Sequence, residues 1–234
     1  MTKRKWYSVA AGLLIAFGSG GCTSQQEPVN AELYVMDTQV TQQVYGTDAE
    51  KASEAVNQRL SELEQLLSLY VESSEISKIN ENAGNTPVKV DTYTFELLKK
   101  GRDFSEKSNG LFDITIAPLS TLWGITSDHP KVPSENEIAS ALDHVSYQNL
   151  ILDEDAQTAF LKEEGMAIDL GGIAKGYFCE EIESIYADYD VDSALISIGG
   201  NIYTYHTKPD GSPYRLGIRN PLSDSANDLM GILS

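Results

Sequence analysis

A carboxylate and an amine lie within one glycine-rich stretch in the second half of the chain, where residues 169–176 are Asp-Leu-Gly-Gly-Ile-Ala-Lys-Gly. Asp169 can bind a hydroxyl, an amine or a metal, and Lys175 can reach a charged ligand. Glycines let a ligand approach the backbone, and free N–H groups at the start of a helix favour anionic oxygens such as those of phosphate. The spacing matches neither the dinucleotide fingerprint nor the phosphate loop. The stretch therefore predicts either an anion-binding turn or a packing turn in which Asp169 caps the helix.

Three further side chains are candidates for ligand contact. Asp113 interrupts the apolar run 111–119. A carboxylate among buried neighbours needs partners, so Asp113 either binds a ligand or caps a helix that begins near Pro118. Tyr70 lies between two predicted helices, where its ring can stack on a flat ligand or serve packing. Met36 lies in a predicted strand or hairpin and faces either a ligand or the core.

A change of hydrophobic period predicts the elements that position Asp169 and Lys175. The apolar run 166–170 has the length of a buried strand, and helical spacing follows it. Segment 193–198 predicts a second strand, so the three elements form a compact βαβ-type unit. We interpret Cys179, in the predicted helix, as a small buried hydrophobe. The apolar stripe of this helix comprises Ile173, Tyr177, Phe178, Ile182, Ile185 and Tyr186.

The rest of the chain predicts alternating helices and hairpins. The pattern indicates an α+β fold with mixed sheets and packed helices in one domain. The predicted helices are 49–69, a short helix capped by Ser73 or Ser74, 92–108 and 135–143; the predicted hairpins or strands are 32–45, 149–152 with 158–161, 202–205 with 214–218, and 229–233.

The first residues have the layout of an export signal. Three basic residues at 3–5 precede an apolar stretch at 6–17, and small residues lead to Cys22. Residues 1–22 are therefore predicted to be a lipoprotein signal peptide with lipidation at Cys22; a plain secretory signal is the alternative. Residues 23–31 would be a polar tether and 32–234 the functional domain, held at the cell membrane on the extracytoplasmic face.

The charge of the chain excludes one class of partner. The formal net charge is −18 and the sequence pI is about 4.4. Nucleic-acid binding needs clustered Lys and Arg, so no nucleic-acid surface is expected. An anionic cofactor would need a local cation or a metal ion. His206 has no Cys or second His at metal-ligand spacing, and no Ser/His/Asp arrangement is evident.

Several stretches together resemble the ApbE family of FAD:protein FMN transferases. Segment 169–176 is similar to the family signature. Phe-Asp-Ile-Thr at 112–115, followed by Pro-Leu at 118–119 and Leu-Trp-Gly at 122–124, is similar to a second motif, and Ile-Gly-Gly-Asn-Ile-Tyr at 198–203 to a third. Segments 70–80 and 207–213 also fit. The resemblance runs from about Leu33 to the last residue and implies a T-fold-like ApbE domain.

The resemblance implies a magnesium-dependent transferase that splits FAD, attaches FMN to a threonine of an exported acceptor protein and releases AMP. The acceptor would be a protein such as a membrane redox-complex subunit. Gly172 matches a position whose backbone oxygen helps to hold Mg²⁺. The positions that match FAD-contacting sites of the family are Met36, Tyr70, Leu111, Phe112, Asp113, Asp169 and Lys175.

Two departures from the family pattern lead to further expectations. Asp37 follows Met36 where the family commonly has Gly, which would crowd the edge of the pocket. Family members continue past the position of Ser234, into a segment with a histidine motif and the Asp and Thr ligands of Mg²⁺. The chain is therefore expected to be C-terminally truncated, to lack catalytic residues, to expose a sheet edge and to be nearly inactive.

Other readings of the sequence belong to different functional classes. The chain could be a lipoprotein that only binds FAD, or one that hydrolyses FAD to FMN and AMP without transfer. A solute-binding lipoprotein unrelated to flavin is the third alternative. If the family resemblance holds, the cofactor groove is expected between segment 111–123 and the turn at 169–176.

Overall fold

The computed structural model describes residues 27–127, 129–225 and 227–234. The predicted signal peptide, Cys22 and the first part of the predicted tether lie outside these residues. Within the described part of the chain, no helix has the length and apolar character needed to cross a membrane.

The described chain alternates strands and helices. In chain order the elements are β1 Val29–Val35, β2 Thr38–Gly46, α1 Ala49–Leu67, α2 Glu75–Glu81, β3 Val88–Lys89, α3 Thr92–Lys107, α4 Ala117–Trp123, α5 Glu135–Leu142, a 3₁₀ turn at Tyr147–Asn149, β4 Leu150–Asp153, β5 Thr158–Leu161, α6 Ala174–Asp188, β6 Val191–Ile198, β7 Asn201–Tyr205, β8 Leu216–Arg219 and β9 Leu229–Leu233.

Three sheets are present among the described residues. The largest has the order β1-β2-β6-β7, with antiparallel neighbours throughout. A second sheet has the order β3-β5-β4, and β8 pairs with β9 in a third. Helices α1 and α6 contact the largest sheet. The predicted α+β class is therefore confirmed.

The helix predictions follow the structure closely because the helices other than α4 have an apolar stripe or a side-chain cap. The buried residues of α1 recur every three or four positions, which places them on one face. Ser74 caps α2 by accepting a hydrogen bond from the Ser77 N–H at 2.9 Å. In α6 the buried positions are Ala174, Phe178, Ile182 and Tyr186.

The N-terminal hairpin contains a strained turn. Strands β1 and β2 pair from Val35 opposite Thr38, so Met36 and Asp37 form a two-residue connection. Their φ angles are 54° and 52°, in the left-handed region that side chains with a Cβ disfavour. The Met36 N–H donates to Glu64 Oε1 on α1 at 2.6 Å. This bond ties the turn to the helix beneath it.

The prediction of a βαβ-type unit around Asp169 is wrong. Segment 166–170 is extended, and Met166, Ile168 and Leu170 are buried, but it belongs to none of the three sheets and makes one isolated parallel bridge, between Ala167 and Ile116. After α6, β6 pairs antiparallel with β2 and β7 instead. An apolar run of strand length indicates that a segment is buried and extended, but it does not identify which part of the chain pairs with it.

The predicted hairpin between 202–205 and 214–218 is also wrong. A tight turn at Gly199 and Gly200, with φ of 57° and 91°, folds β7 back onto β6. A Cβ on Gly199 would lie 2.4 Å from Thr38 Oγ1, so this turn requires glycine. The turn at Lys208 and Gly211 does form, with a 2.8 Å backbone hydrogen bond, but β8 then pairs with β9. The apolar side chains of that last hairpin are half or more exposed at Met230, Ile232 and Leu233.

Candidate functional site

Asp169 is held by backbone and side-chain hydrogen bonds rather than by a sheet. The residue before it, Ile168, exchanges two hydrogen bonds with the Asn80 side chain: its N–H donates to Asn80 Oδ1 at 2.7 Å, and its carbonyl accepts from Asn80 Nδ2 at 3.1 Å. The Asp169 N–H donates to the Ile114 carbonyl at 2.9 Å. These bonds satisfy backbone groups that a sheet would otherwise pair, and they fix the direction of the Asp169 side chain.

The Asp169 carboxylate accepts one hydrogen bond on each oxygen. Ser120 Oγ donates to Oδ2 at 2.8 Å, and the Gly171 N–H donates to Oδ1 at 2.8 Å. Helix α6 begins later, with Ile173 at its N-cap position and no side-chain cap. The alternative that Asp169 caps this helix is therefore wrong.

Four of the seven predicted FAD-contacting residues line one groove, which we call the Asp169 groove. They come from four separate parts of the chain: the β1–β2 turn, the α1–α2 loop, the extended segment and the first turn of α6. The groove has a volume of about 190 Å³, less than the roughly 300–1,000 Å³ of a typical ligand pocket. It can hold part of a dinucleotide. Residues that line the groove include Met36, Asp37, Glu64, Tyr70, Thr126, Asp169 and Lys175.

Of the described residues that line the Asp169 groove, Lys175 is the single basic one, and Asp37, Glu64 and Asp169 are acidic. Among the described residues Lys175 forms no ion pair. Its ammonium group is therefore available for an anionic ligand.

Tyr70 is exposed over 55% of its surface, so its ring is accessible from the groove. Its hydroxyl accepts a 2.5 Å hydrogen bond from Thr126 Oγ1. Thr126 lies just after α4, which ends at Gly124 in a left-handed conformation with φ of 62°. This turn brings the loop across to Tyr70. The hydrogen bond from Thr126 therefore restrains Tyr70, and its ring is accessible to a ligand rather than buried in the core.

Asp113 is placed differently. Its Oδ1 accepts from the Thr115 N–H at 2.8 Å and from Thr115 Oγ1 at 2.7 Å, while Oδ2 accepts from the Tyr147 N–H at 2.9 Å. Thr115 Oγ1 in turn accepts from the Ser146 N–H at 2.8 Å. Helix α4 has Ile116 as its N-cap residue and no side-chain cap, so the cap alternative is wrong. Asp113 instead joins two loops, and it does not line the Asp169 groove.

A second groove, the Phe112 groove, lies on the other side of the turn at Gly171 and Gly172. Its volume is about 770 Å³, and Phe112 and Gly172 line it together with α3, α6 and β7. A Cβ on Gly172 would lie 3.0 Å from the Phe112 ring, so glycine allows the turn to approach this ring. Leu111 is 94% exposed and lines neither groove.

Cys179 also lines the Phe112 groove. Its Sγ contacts the Lys175 carbonyl at 3.7 Å, and burial raises the pKa of the thiol. A raised pKa favours the protonated thiol over the nucleophilic thiolate. Cys179 is only partly buried, so the prediction of a buried hydrophobe is only partly correct.

The expected groove between segment 111–123 and the turn at 169–176 is only partly correct. Segment 111–123 contacts the turn directly through the Ser120–Asp169 hydrogen bond, and it contacts the residues just before the turn through the Ile116–Ala167 bridge. Two grooves therefore flank the turn, where one was expected. The Asp169 groove faces Met36 and Tyr70, and the Phe112 groove faces α3.

The Gly172 carbonyl is the predicted magnesium ligand among the described residues. No group of three or more His, Cys, Asp or Glu side chains that could hold a metal occurs among them. Gly172 is exposed, so its carbonyl can offer one oxygen ligand, whereas Mg²⁺ prefers six in octahedral geometry.

Sequence reasoning missed Glu64, Ser120 and Thr126, which hold the turn at Met36, Asp169 and Tyr70, respectively. Ser and Thr within helices and loops are too common to be signals. Glu64 lies within the amphipathic pattern of α1. Nothing in the local sequence indicates that its side chain contacts Met36, which is 28 residues away in sequence.

The model of the ApbE family matches residues 36–234. This chain belongs to the ApbE family. The matched range includes the residues that line both grooves and the turn between them.

Curated relatives of this ApbE-family chain share a single name. An FAD:protein FMN transferase of Klebsiella pneumoniae is 32% identical over 200 residues, covering 86% of this chain and 61% of that protein. One of Treponema pallidum is 31% identical over 227 residues, covering 89% of this chain and 62% of that protein. The chain thus spans about three-fifths of the length of these relatives.

Solved structures agree with the family assignment. The ApbE protein from Thermotoga maritima superposes with a TM-score of 0.80 and 30% identity, covering 88% of this chain and 67% of that chain. The flavin transferase ApbE from Vibrio cholerae, at 24% identity, has a TM-score of 0.76 and covers 84% of this chain and 65% of that chain. The α+β fold described above is therefore the ApbE fold.

Proposed function

We propose that the whole protein is an FAD:protein FMN transferase, which moves FMN from FAD to a threonine of an exported acceptor protein. The observation that carries the proposal is the pair of grooves on either side of the Gly171–Gly172 turn. FAD has a ring system at each end and a pyrophosphate between them. A molecule of this shape would lie across the turn, with one ring system in each groove. The names of the relatives support the same activity.

The described residues would bind FAD in distinct ways. Met36 and Tyr70 would contact a flat ring, because both present polarisable or aromatic surface at the Asp169 groove. Asp169 would accept hydrogen bonds from a hydroxyl or an exocyclic amine. Lys175, which is free of ion pairs with described residues, would face the pyrophosphate charge. Phe112 would pack in the second groove.

The proposed reaction exchanges one phosphorus–oxygen bond for another. The threonine hydroxyl oxygen attacks the FMN phosphorus, the pyrophosphate bond breaks, and AMP leaves with the bridging oxygen. The hydroxyl proton must pass to a base. The described residues bind and orient FAD in this scheme, and no described side chain is assigned as that base.

Magnesium dependence is part of the proposal, on chemical grounds. A divalent cation neutralises charge on the phosphate oxygens. The carbonyl of Gly172 is the donor that these residues would offer.

The proposed location is the extracytoplasmic face of the cell membrane, with lipid on Cys22. The basic, apolar and small-residue segments before Cys22 support it. Cys22→Ala would move the protein from the membrane fraction to the soluble fraction. Retention in the membrane by that variant would contradict the lipid anchor.

Transfer itself is tested by incubating the full chain with FAD, Mg²⁺ and a candidate exported acceptor. We expect flavin fluorescence on the acceptor band in a denaturing gel, with one AMP released for each FMN attached. The acceptor with its target threonine changed to Ala is the control. Labelling of that control, or no transfer by a protein of the relatives' length that binds FAD, would contradict the transferase proposal; the 234-residue chain by itself is expected to be nearly inactive.

The same assay separates the alternative functions. AMP release without any acceptor would favour FAD hydrolysis, and saturable FAD binding with neither product would favour an FAD-binding lipoprotein. A folded chain that leaves flavin fluorescence unchanged would favour a lipoprotein unrelated to flavin.

A further inference from the structure

Helix α4 contacts the Asp169 segment through Ile116 and Ser120, two residues that are not among the motif residues that indicate the family function. Ile116, just before α4, bridges Ala167. One turn further along the helix, Ser120 Oγ lies 2.8 Å from Asp169 Oδ2. The Ser120 hydroxyl also lies 3.3 Å from the Ala117 carbonyl. A hydroxyl has one proton to donate, and the shorter contact to a charged oxygen is the stronger one.

The Ser120 bond completes the anchoring of the Asp169 carboxylate. With Oδ1 held by the Gly171 N–H and Oδ2 held by Ser120, the plane of the carboxylate is fixed. Each carboxylate oxygen can accept a further hydrogen bond. Asp169 lines the Asp169 groove. Its two carboxylate oxygens are therefore already oriented when they accept further hydrogen bonds from a ligand.

We infer that Ser120 is a positioning residue for ligand binding in the Asp169 groove and acts through the Asp169 carboxylate. Without the Ser120 hydroxyl, the carboxylate keeps only the Gly171 N–H and is free to rotate. A ligand must then restrict that rotation when it binds, which lowers affinity. The part of this inference that concerns FAD rests on the proposed function.

A double-mutant cycle tests whether Ser120 acts through Asp169. FAD affinity is measured by flavin fluorescence for the full chain and for Ser120→Ala, Asp169→Ala and the double variant. We expect Ser120→Ala to weaken FAD binding by roughly five- to tenfold, which is within the usual net contribution of one hydrogen bond. In the Asp169→Ala background the same change should alter affinity less than about twofold. An equal loss in both backgrounds would overturn the inference.

Two further variants separate positioning from general packing. Ser120→Thr keeps the hydroxyl and should restore most of the lost affinity. Ser61→Ala removes another hydroxyl that bonds a carbonyl one turn back, 2.9 Å from the Asn57 carbonyl on α1, and should leave FAD affinity unchanged. Failure of Ser120→Thr to restore binding, or an equal loss with Ser61→Ala, would contradict the positioning role.

A measurement without FAD keeps this inference distinct from the proposed function. Hydrogen exchange of the Gly171 amide reports how often its bond to Asp169 opens. Ser120→Ala should speed that exchange several-fold, and Ser61→Ala should not. If the folded wild-type chain binds no FAD, the proposed function fails, and the Gly171 exchange rates still decide the role of Ser120. Equal exchange in wild type and Ser120→Ala would overturn it.

Discussion

Asp113 and Asp169 look alike in the sequence and differ in the fold. Each is a single carboxylate within an apolar run. Asp113 accepts three hydrogen bonds from Thr115 and Tyr147 and joins two loops. Asp169 accepts two and lines a groove. A carboxylate in an apolar run therefore predicts polar partners, but whether a ligand is one of them depends on how many donors the fold supplies.

The largest effect is expected from Asp113→Ala. Removing this carboxylate leaves the N–H groups of Thr115 and Tyr147 without their acceptor, which should lower the free energy of unfolding by about 2–3 kcal/mol. Urea denaturation measures the loss. Asp155→Ala, at an exposed turn position, is the control and should change stability little. Unchanged stability with lost FAD binding would show that Asp113 acts mainly on the ligand.

Asp169→Ala should affect FAD affinity more than stability, whereas Asp113→Ala should affect stability more. We expect FAD affinity to fall by about tenfold or more, because a charged acceptor is lost from the groove. The free energy of unfolding should fall less than it does in Asp113→Ala, since fewer donors lose a partner. Flavin fluorescence and urea denaturation measure the two effects on the same protein. A larger loss of stability than in Asp113→Ala would remove the distinction between the two regions.

Lys175→Met should weaken FAD binding by several-fold at low salt and less at high salt, because salt screens the attraction between an ammonium group and a pyrophosphate. Lys175→Arg keeps the charge and should retain most of the affinity. Lys162→Met, at an exposed position, controls for the change in net charge. A loss that is independent of salt would point to packing rather than charge at Lys175.

The smallest effect concerns the edge of the Asp169 groove. Asp37 has a φ of 52°, which glycine adopts more readily. Asp37→Gly should raise the free energy of unfolding by about 0.5–1 kcal/mol, after the greater chain entropy of glycine is taken into account. Asp155→Gly is a control that should not stabilise the chain. A less stable Asp37→Gly variant would mean that the turn depends on the Asp37 side chain.

Much of the fold could be predicted because local patterns decide it. The α1 stripe, the Ser74 cap and the β4–β5 hairpin all follow from short-range spacing. The family assignment, confirmed by the model that matches residues 36–234, came from the order of several motifs. The assigned roles of Met36, Tyr70, Leu111, Phe112, Asp113, Asp169, Lys175 and Gly172 stay predictions.

The errors in the sequence analysis concern contacts between distant parts of the chain. Segment 166–170 has strand composition, but its neighbours are the Asn80 side chain and the Ile114 carbonyl. The turn at 208–211 has hairpin composition, but the glycine turn at 199–200 pairs β7 with β6 first. Local propensity cannot identify these partners, because they are set by packing of the whole domain.

The paired hydrogen bonds between Asn80 and Ile168 also set the register of the Asp169 segment. In a ladder of strands, a shift by two residues preserves both the hydrogen bonds and the side-chain faces. The Asn80 side chain is a single amide, so it pairs with one residue and offers no equivalent site two positions away. The register of the segment that carries Asp169 is therefore set in part by a single side chain, which lies 88 residues before Ile168 in sequence.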